Sequence, residues 1–459
     1  MTRPDLQEFR LEETASGLAH LVFDTPGRSM NVFSNAAIGE LGRFAAWLPT
    51  ADVAGVVVRS AKDAFCAGAD LTELGVAYDM IMASPKAERH KVAFDHFFPL
   101  SQALRALETS GKPVAAAIGG LALGGGCELA LACHHRVVAD TPRAALGLPE
   151  SLVGLLPGAG GTQRLPRLIG IQAALPVLLG GTRLPPHDAL ACGAVDEIVA
   201  PGEEVPAAER WVLSALGARQ PWDRAEWKQK TPRTVRAAIA PVRARAMSET
   251  RGHYPAPLAI LNCIERGLPQ PIDRALVTEM TIFANLIQRP EPRNMIQVLF
   301  LGKLDHDRRV KANMLLAALP EIEGAVASAL ADVGRRARAE GVGETEVSDA
   351  WSFAGFTRPA GEFTVDEPAR AIGEGRAGQG RESAGLWFER PCDTSLEALA
   401  RAFIFAGAQA ALPYLARVDE SERRIVDYAL TSKLGFPSYL GGPFALLDYL
   451  GDPGLRRAS

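Results

Sequence analysis

The sequence is poor in aromatic residues and nearly balanced in charge. Only 7% of its 459 residues are Phe, Trp or Tyr, and 49 Lys and Arg stand against 53 Asp and Glu, a formal net charge of −4. A base-stacking surface needs aromatic side chains, and attraction to polyanions needs an excess of positive charge. We therefore expect no nucleic-acid partner.

Paired cysteines and long apolar runs are also missing. The six cysteines have no CxxC spacing, so neither a metal site nor a disulfide framework is predicted. The longest uncharged apolar runs, 113–127 and 168–182, have 15 residues each, too few for a typical membrane span. The N-terminal MTRPDLQEFRLEE lacks the apolar core of a secretory signal. These absences predict a cytoplasmic protein without a membrane span.

The first two hundred residues alternate β-type and helical segments. Helices are predicted at 35–47, 93–110 and 128–133, and strands at 18–24, 55–60, 113–118, 135–139 and 196–199. Such alternation predicts an α/β domain, and the pattern ends near Pro201.

The last 150 residues contain a weak internal repeat. Gly355 and Phe356, followed by GEF at 361–363, are similar to Gly435 and Phe436, followed by GPF at 442–444, at an offset near 80. The repetition predicts two stacked α-helical units. The segment 364–385 between them is rich in Gly, Arg and Glu, which predicts a mobile linker.

Two motifs rich in small residues follow β-type runs. They are AFCAGADL at 64–71 and GGLALGGGCELALAC at 119–133, whose triple glycine leads into a predicted helix. Glycine lets a backbone N–H approach a ligand without a Cβ in the way, and donors at a helix N-terminus suit a developing oxyanion. Two such amides would form an oxyanion hole. Each motif alone is also compatible with a tight packing turn.

Two glutamates close to these motifs are candidates for proton transfer. Glu128 lies in the first turn of the predicted helix, and Glu150 ends LGLPE ahead of a loop rich in glycine and proline. Taken singly, Glu128 would only stabilise the helix dipole and Glu150 would be an exposed loop acid. Catalysis requires both acids to face one pocket.

Together with PGAGGTQRLPRLIG at 157–170, these motifs resemble the enoyl-CoA hydratase/isomerase (crotonase) family. HHRVVADTPRAALGLPE at 134–150 is similar to the hydratase half of the multifunctional fatty-acid oxidation enzymes. The stretches 252–268 and 435–451 resemble the linker of those enzymes and the end of their 3-hydroxyacyl-CoA dehydrogenase part.

The resemblance implies three segments. Residues 1–205 would form an α/β crotonase domain, a ClpP-like ββα spiral, and 206–309 a helical linker. Residues 310–459 would be an all-α domain similar to the dehydrogenase's C-terminal helical repeats. The Rossmann domain of those enzymes has no counterpart, since the GxGxxG match at 373–378 follows no apolar strand and opens no helix. We expect no NAD cofactor and no dehydrogenase activity.

The resemblance also implies roles for individual residues. Ala69 and Gly125 match the oxyanion-hole donors, and Glu128 and Glu150 match the two catalytic glutamates. The implied reaction is addition of water to a 2-enoyl-CoA, giving a (3S)-3-hydroxyacyl-CoA, with coenzyme A as part of the substrate. Further substrate-binding positions are implied at Ala67, Gly68, Asp70, Leu71, Gly124, Pro149 and Gly158.

Other functions stay open at this point. One is a Δ3-Δ2-enoyl-CoA isomerase or another crotonase-type acyl-CoA lyase or hydrolase, although the intact pair of glutamates favours hydration. Another is a non-catalytic subunit that binds acyl-CoA or a thiolase-like partner. The linker helix of the family covers the hydratase pocket, which implies a monomer or homodimer.

Overall fold

The computed structural model describes residues 2–215, 217–312, 314, 316–357, 386, 388 and 394–451. The predicted linker at 364–385, with its GxGxxG match, and the GEF segment at 361–363 lie outside the described residues. The chain forms two compact units. The first is Met1–Ala246 with Ala256–Gln288, and the second is Met247–Pro255 with Arg289–Ser459.

The first unit is built on a six-stranded sheet and a smaller two-stranded sheet. The larger has the order β1-β2-β3-β4-β6-β8, in which only β1 and β2 pair antiparallel, and the smaller pairs β5 with β7 in parallel. The strands are β1 (Phe9–Glu13), β2 (Leu18–Phe23), β3 (Gly55–Ser60), β4 (Val114–Ile118), β5 (Leu121–Leu123), β6 (His135–Ala139), β7 (Ala145–Gly147) and β8 (Glu197–Val199).

Helices cover the larger sheet, whose strands β2 and β4 are buried along their whole length, as strands of parallel sheets usually are. The helices are α1 (Asn35–Trp47), α2 (Leu71–Ala83), α3 (Arg89–Glu108), α4 (Gly125–Ala132), α5 (Gly161–Ile169), α6 (Ile171–Gly180), α7 (Pro186–Cys192), α8 (Glu204–Ser214), α9 (Pro232–Thr250), α10 (Pro255–Gly267) and α11 (Ile272–Leu286). The predicted α/β architecture is confirmed.

The smaller sheet arises because the chain turns sharply after two strands of the larger one. β4 continues through Gly119 and Gly120 into β5 and then α4, and β6 continues into β7 and then α5. A Cβ on Gly120 would lie 1.9 Å from the carbonyl oxygen of Asp63, so only glycine fits this turn. The succession of two strands and a helix is the predicted ββα arrangement, and it brings the N-terminus of α4 beside β7.

The predicted boundaries at 205 and 309 do not coincide with the division between the units. The first unit takes in 256–288, most of which is α10 and α11. The reason is the packing of α11 against α3, where the rings of Phe283 and Phe97 meet edge to face at 5.0 Å. α11 is therefore an integral part of the first unit.

The described part of the second unit is helical. A π-helical segment, Ile296–Gly302, follows the first of its helices. The helices are α12 (Pro290–Met295), α13 (Lys303–Lys311), α14 (Leu319–Ala339), α15 (Glu344–Ala354), α16 (Ser395–Ala411), α17 (Glu420–Leu434) and α18 (Pro443–Leu450).

The two glycines of the predicted repeat have equivalent places in the second unit. Gly355 ends α15 and Gly435 ends α17, each in the left-handed conformation that favours glycine at a helix end. The phenylalanines that follow, Phe356 and Phe436, touch each other with their ring centres 5.4 Å apart. Similarity of these helices to a dehydrogenase stays a prediction. Across the described ranges, no helix is long and apolar enough to cross a membrane.

Candidate active site

The two motifs rich in small residues lie side by side. Cys66 pairs with Ala122 in a parallel bridge, and the amide of Leu123 donates to the carbonyl oxygen of Cys66 at 2.9 Å. The chain continues from both segments in the same direction, so that a Cβ built on Gly68 would lie 3.7 Å from the amide nitrogen of Gly125. The structure thus brings together the segments that carry the two predicted oxyanion donors.

The amides of Ala69 and Gly125 form no hydrogen bonds within the part of the chain that the structure describes. The neighbours of Ala69 are bonded, since Phe33 donates to Gly68 and Asp70 donates to Phe33. Gly125 is the first residue of α4, where an amide has no acceptor inside the helix. Two unbonded N–H groups, one of them at a helix N-terminus, can bind a carbonyl oxygen that gains negative charge.

Gly124 allows a carboxyl group to approach these amides. Its φ of +53° is unfavourable for residues with a Cβ. A Cβ at this position would lie 3.0 Å from Oε1 of Glu150 and 3.4 Å from Cα of Gly68. Glycine therefore leaves room for the carboxyl of Glu150 next to both motifs.

Glu150 lies in a short 3-10 turn, Pro149–Val153, that follows β7. Its Oε2 atom is inaccessible to solvent and has no hydrogen-bond partner among the described residues. Burial, reinforced by the charge of Glu128, raises the pKa of Glu150 well above the ordinary range. Such a shift favours the protonated carboxyl, which is the form that can donate a proton.

Glu128, in the first turn of α4, has a different environment. It is 2% exposed, and its Oε1 accepts hydrogen bonds from the amides of Ala159 and Gly161, each at 2.7 Å. Burial raises the pKa of Glu128, while these two amides favour the ionised form and oppose the increase. Its Oε2 accepts nothing from the residues described. Glu128 therefore has one oxygen fixed and one available.

Several predicted substrate-binding residues have structural contacts of their own. The amide of Ala67 donates to the carbonyl of Asn31 at 2.9 Å. Asp70 caps α2, because its side chain accepts from the amides of Thr72 and Glu73, and it also pairs with Arg28. Of the other predicted positions, Leu71 begins α2, Pro149 begins the 3-10 turn, and Gly158 lies against the ring of Phe283. Binding of substrate at these residues stays a prediction.

A third buried carboxyl, which the motifs did not indicate, reaches the same loop. Glu279 on α11 accepts from the amides of Gly160 at 2.6 Å and Thr162 at 3.1 Å, and from the Thr162 hydroxyl. Burial and the charge of Glu128 raise the pKa of Glu279 to about 8. One signal was present in the sequence: Glu279 lies on the apolar face of α11, between Leu276 and Phe283.

Arg164 is hydrogen-bonded to the same loop through Ala159. It is fully buried and forms two hydrogen bonds to Glu108, at 2.7 and 2.9 Å, and one to the carbonyl of Ala159 at 2.7 Å. The arginine carries a charge that Glu108 neutralises, which is the condition for burying either group. The predicted motif contained Arg164, but its partner lies 56 residues away in the sequence.

We expect the protein to lose stability as the pH rises from 7 to 9. Unfolded Glu279, with an ordinary pKa near 4.5, has lost its proton at pH 7, whereas folding holds the pKa at about 8. The folded state therefore binds more protons in this window, and the free energy of unfolding falls as pH increases. Glu279→Gln cannot ionise and should show a flatter dependence. Thermal unfolding between pH 7 and 9 measures this, and parallel curves for the two proteins would refute it.

The sequence is similar to a known family over the region that contains these residues. Residues 13–248, just over half of the chain, match the family described as enoyl-CoA hydratase/isomerase. The fatty acid oxidation complex subunit alpha of Shewanella frigidimarina is 33% identical over 362 residues, which cover 75% of this chain and 49% of the relative. The corresponding subunit of Shewanella loihica is 36% identical over 299 residues, covering 64% and 41%.

The chain thus spans about half the length of the curated relatives it matches. Among solved structures, Pseudomonas aeruginosa DspI is 28% identical and covers 55% of this chain and 91% of its own, with a TM-score of 0.40. A score at that level adds nothing to the assignment, which depends on the matched residues 13–248. On that match, the chain belongs to the enoyl-CoA hydratase/isomerase family.

Proposed function

We propose that this protein is an enoyl-CoA hydratase that adds water to the same face of a 2-enoyl-CoA, giving a (3S)-3-hydroxyacyl-CoA. The observation that carries the proposal is the pairing of two buried carboxyls in different environments, Glu128 and Glu150, next to the unbonded amides of Ala69 and Gly125. Hydration is redox-neutral, so the reaction requires no NAD.

Glu128 acts as the base in this proposal. Its Oε1 is held by two amides, so Oε2 is the atom that faces a water molecule and accepts its proton. The hydroxyl oxygen forms a bond to the β-carbon of the substrate, and the electron pair of the double bond moves toward the thioester carbonyl. A positioned general base of this kind contributes about 100- to 10,000-fold to the rate.

Ala69 and Gly125 then stabilise the negative charge on the thioester oxygen. Loss of one such donor typically costs about 100- to 1,000-fold in rate. Glu150, whose pKa is raised by burial and by the charge of Glu128, holds the proton that the α-carbon needs. Transfer of that proton completes the product, and Glu128 and Glu150 exchange protonation states, which solvent restores after product release.

The names of the relatives support an acyl-CoA substrate. Two relatives that are 33% and 36% identical to this chain over the aligned residues are named as subunits of a fatty acid oxidation complex. Since the matched part covers less than half of each, we take from them only the class of substrate, a fatty acyl thioester.

A Δ3-Δ2-enoyl-CoA isomerase is the second candidate, and one observation favours it. Oε2 of Glu150 accepts no hydrogen bond from any residue that the structure describes. A carboxyl with one free oxygen can move a proton from one carbon of the substrate to another without a water molecule. The requirement for Glu128 separates the two functions, because isomerisation does not need a water-activating base.

The deciding experiment offers the protein a series of 2-enoyl-CoA and 3-enoyl-CoA substrates of increasing chain length. Loss of the enoyl-thioester absorbance with the 2-enoyl series, together with a (3S)-configured product, is the expected result. Conversion of the 3-enoyl series alone would establish the isomerase instead. Failure with both series would contradict the proposal.

A further inference from the structure

The turn at residues 159–162 is held by the carboxyl groups of two glutamates. Along this turn, the amides of Ala159 and Gly161 donate to Glu128, and those of Gly160 and Thr162 donate to Glu279. Successive amides thus alternate between a glutamate of α4 and a glutamate of α11. All four hydrogen bonds are buried, so water cannot replace any of the acceptors without a large cost.

Gly160 makes this arrangement possible. Its φ of +104° is a conformation that residues with a Cβ avoid. A Cβ here would lie 1.8 Å from Arg164 Nη1 and 2.9 Å from Leu276 Cδ2. The backbone of the turn is therefore in close contact with α11.

We infer that Glu279 is a positioning residue of the active site, which holds the 159–162 turn through Gly160 and Thr162 and so fixes the two amides that orient Glu128. The expected effect on the rate of hydration rests on the proposed function. The structural part, that Glu279 keeps the amides of Ala159 and Gly161 in place, does not depend on it. Glu279 lies outside the matched residues 13–248, so the family comparison assigns it no role.

Charged and titratable groups on several neighbouring elements interact with Glu279. Burial and the charge of Glu128 are the main causes of the raised pKa of Glu150, and the charge of Glu279 adds to them, since a further negative charge disfavours ionisation. Removing that charge therefore makes Glu150 lose its proton at a lower pH. The groups that interact with Glu279 are Glu128 on α4, Glu150 in the 3-10 turn, Arg164 and Arg167 on α5, and Cys263 on α10.

The test compares Glu279→Gln with Asp273→Asn, the same chemical change on the exposed side of α11. Asp273 is 69% exposed and pairs with Arg105. A glutamine at 279 has one acceptor oxygen where the glutamate has two, so one of the two amides on that side loses its partner. We expect kcat for hydration to fall about 10- to 100-fold with KM nearly unchanged, since small displacements of a catalytic group have effects of this size. Asp273→Asn should behave as the wild type.

Two further readouts separate positioning from a general loss of stability. The alkaline limb of the pH–rate profile should move to lower pH in Glu279→Gln, because Glu150 then titrates earlier. Hydrogen exchange at the amides of Ala159 and Gly161 should become faster, although both amides bond to Glu128 and not to residue 279. The amides of β3 and β4 should keep their protection, which shows that the unit is folded.

The outcomes distinguish this inference from the proposed function. If the wild type hydrates 2-enoyl-CoA and Glu279→Gln matches Asp273→Asn in kcat, pH profile and hydrogen exchange, the positioning role is wrong and the function stands. If the wild type does not hydrate any 2-enoyl-CoA, faster exchange at Ala159 and Gly161 in Glu279→Gln alone supports the positioning role, and unchanged exchange overturns it.

Discussion

Glu128→Gln is expected to lower kcat for hydration of a 2-enoyl-CoA about 100- to 10,000-fold, the range for loss of a positioned general base. The glutamine oxygen can still accept from the amides of Ala159 and Gly161, so the side chain keeps its place. Its NH2 group replaces Oε2 and cannot accept a proton from water. KM should stay close to the wild-type value, because the amides of Ala69 and Gly125 are untouched.

Glu150→Gln should lower kcat for hydration to a similar extent, because a side-chain amide cannot transfer a proton to the α-carbon as a carboxylic acid can. Glu203→Gln provides a control, because this glutamate is exposed at the start of α8. Steady-state kinetics with one 2-enoyl-CoA measures all three variants. Wild-type turnover by Glu128→Gln or Glu150→Gln would exclude the two-carboxylate mechanism. Retention of isomerase activity in Glu128→Gln alone would assign isomerisation to Glu150.

Glu108→Gln is expected to reduce the free energy of unfolding by about 3–5 kcal/mol, the usual cost of breaking a buried ion pair by removing one partner. The side chains of Glu108 and Arg164 are both 0% exposed, and two hydrogen bonds join them. With a neutral residue at 108, the guanidinium of Arg164 lies in the protein interior without its counter-ion. Chemical denaturation of wild type and variant measures the difference.

The double variant Glu108→Gln with Arg164→Met serves as the control for this prediction. It removes both charges, so its loss in free energy of unfolding should be smaller than the sum of the losses in the two single variants. If the loss in the double variant equals that sum, the unpaired charge of Arg164 is not the cause. Arg164 also holds the carbonyl of Ala159, so Glu108→Gln should in addition reduce hydration by displacing the turn next to Glu128.

Local patterns in the sequence predicted much of the first unit. β3, β6 and α1 have the predicted bounds because each is a run of residues with a single periodicity. α4 begins at Gly125, three residues before the predicted start, because glycines lower helix propensity but are accepted in the first turn. That earlier start puts the amide of Gly125 at the helix N-terminus, and Glu128 stays in the first turn, as predicted.

Contacts between distant segments could not be predicted. Gly160 and Glu279 are separated by 119 residues, and no local pattern specifies which loop a buried acid on a helix will meet. Asp70 illustrates a different limit, because an acid at the end of a conspicuous motif suits both ligand binding and helix capping, and only the structure shows that it caps α2. Amphipathic helices have the same appearance in a linker and in a core, so the sequence did not indicate that α11 packs with the first unit.

The alternation of amides between Glu128 and Glu279 has a consequence for how the chain can be divided. A fragment that stops at residue 248, where the family match ends, would contain both proposed catalytic glutamates and both unbonded amides. It would nevertheless leave the amides of Gly160 and Thr162 without the acceptor that α11 supplies. A fragment that keeps all four of these hydrogen bonds must therefore extend beyond the matched residues to the end of α11.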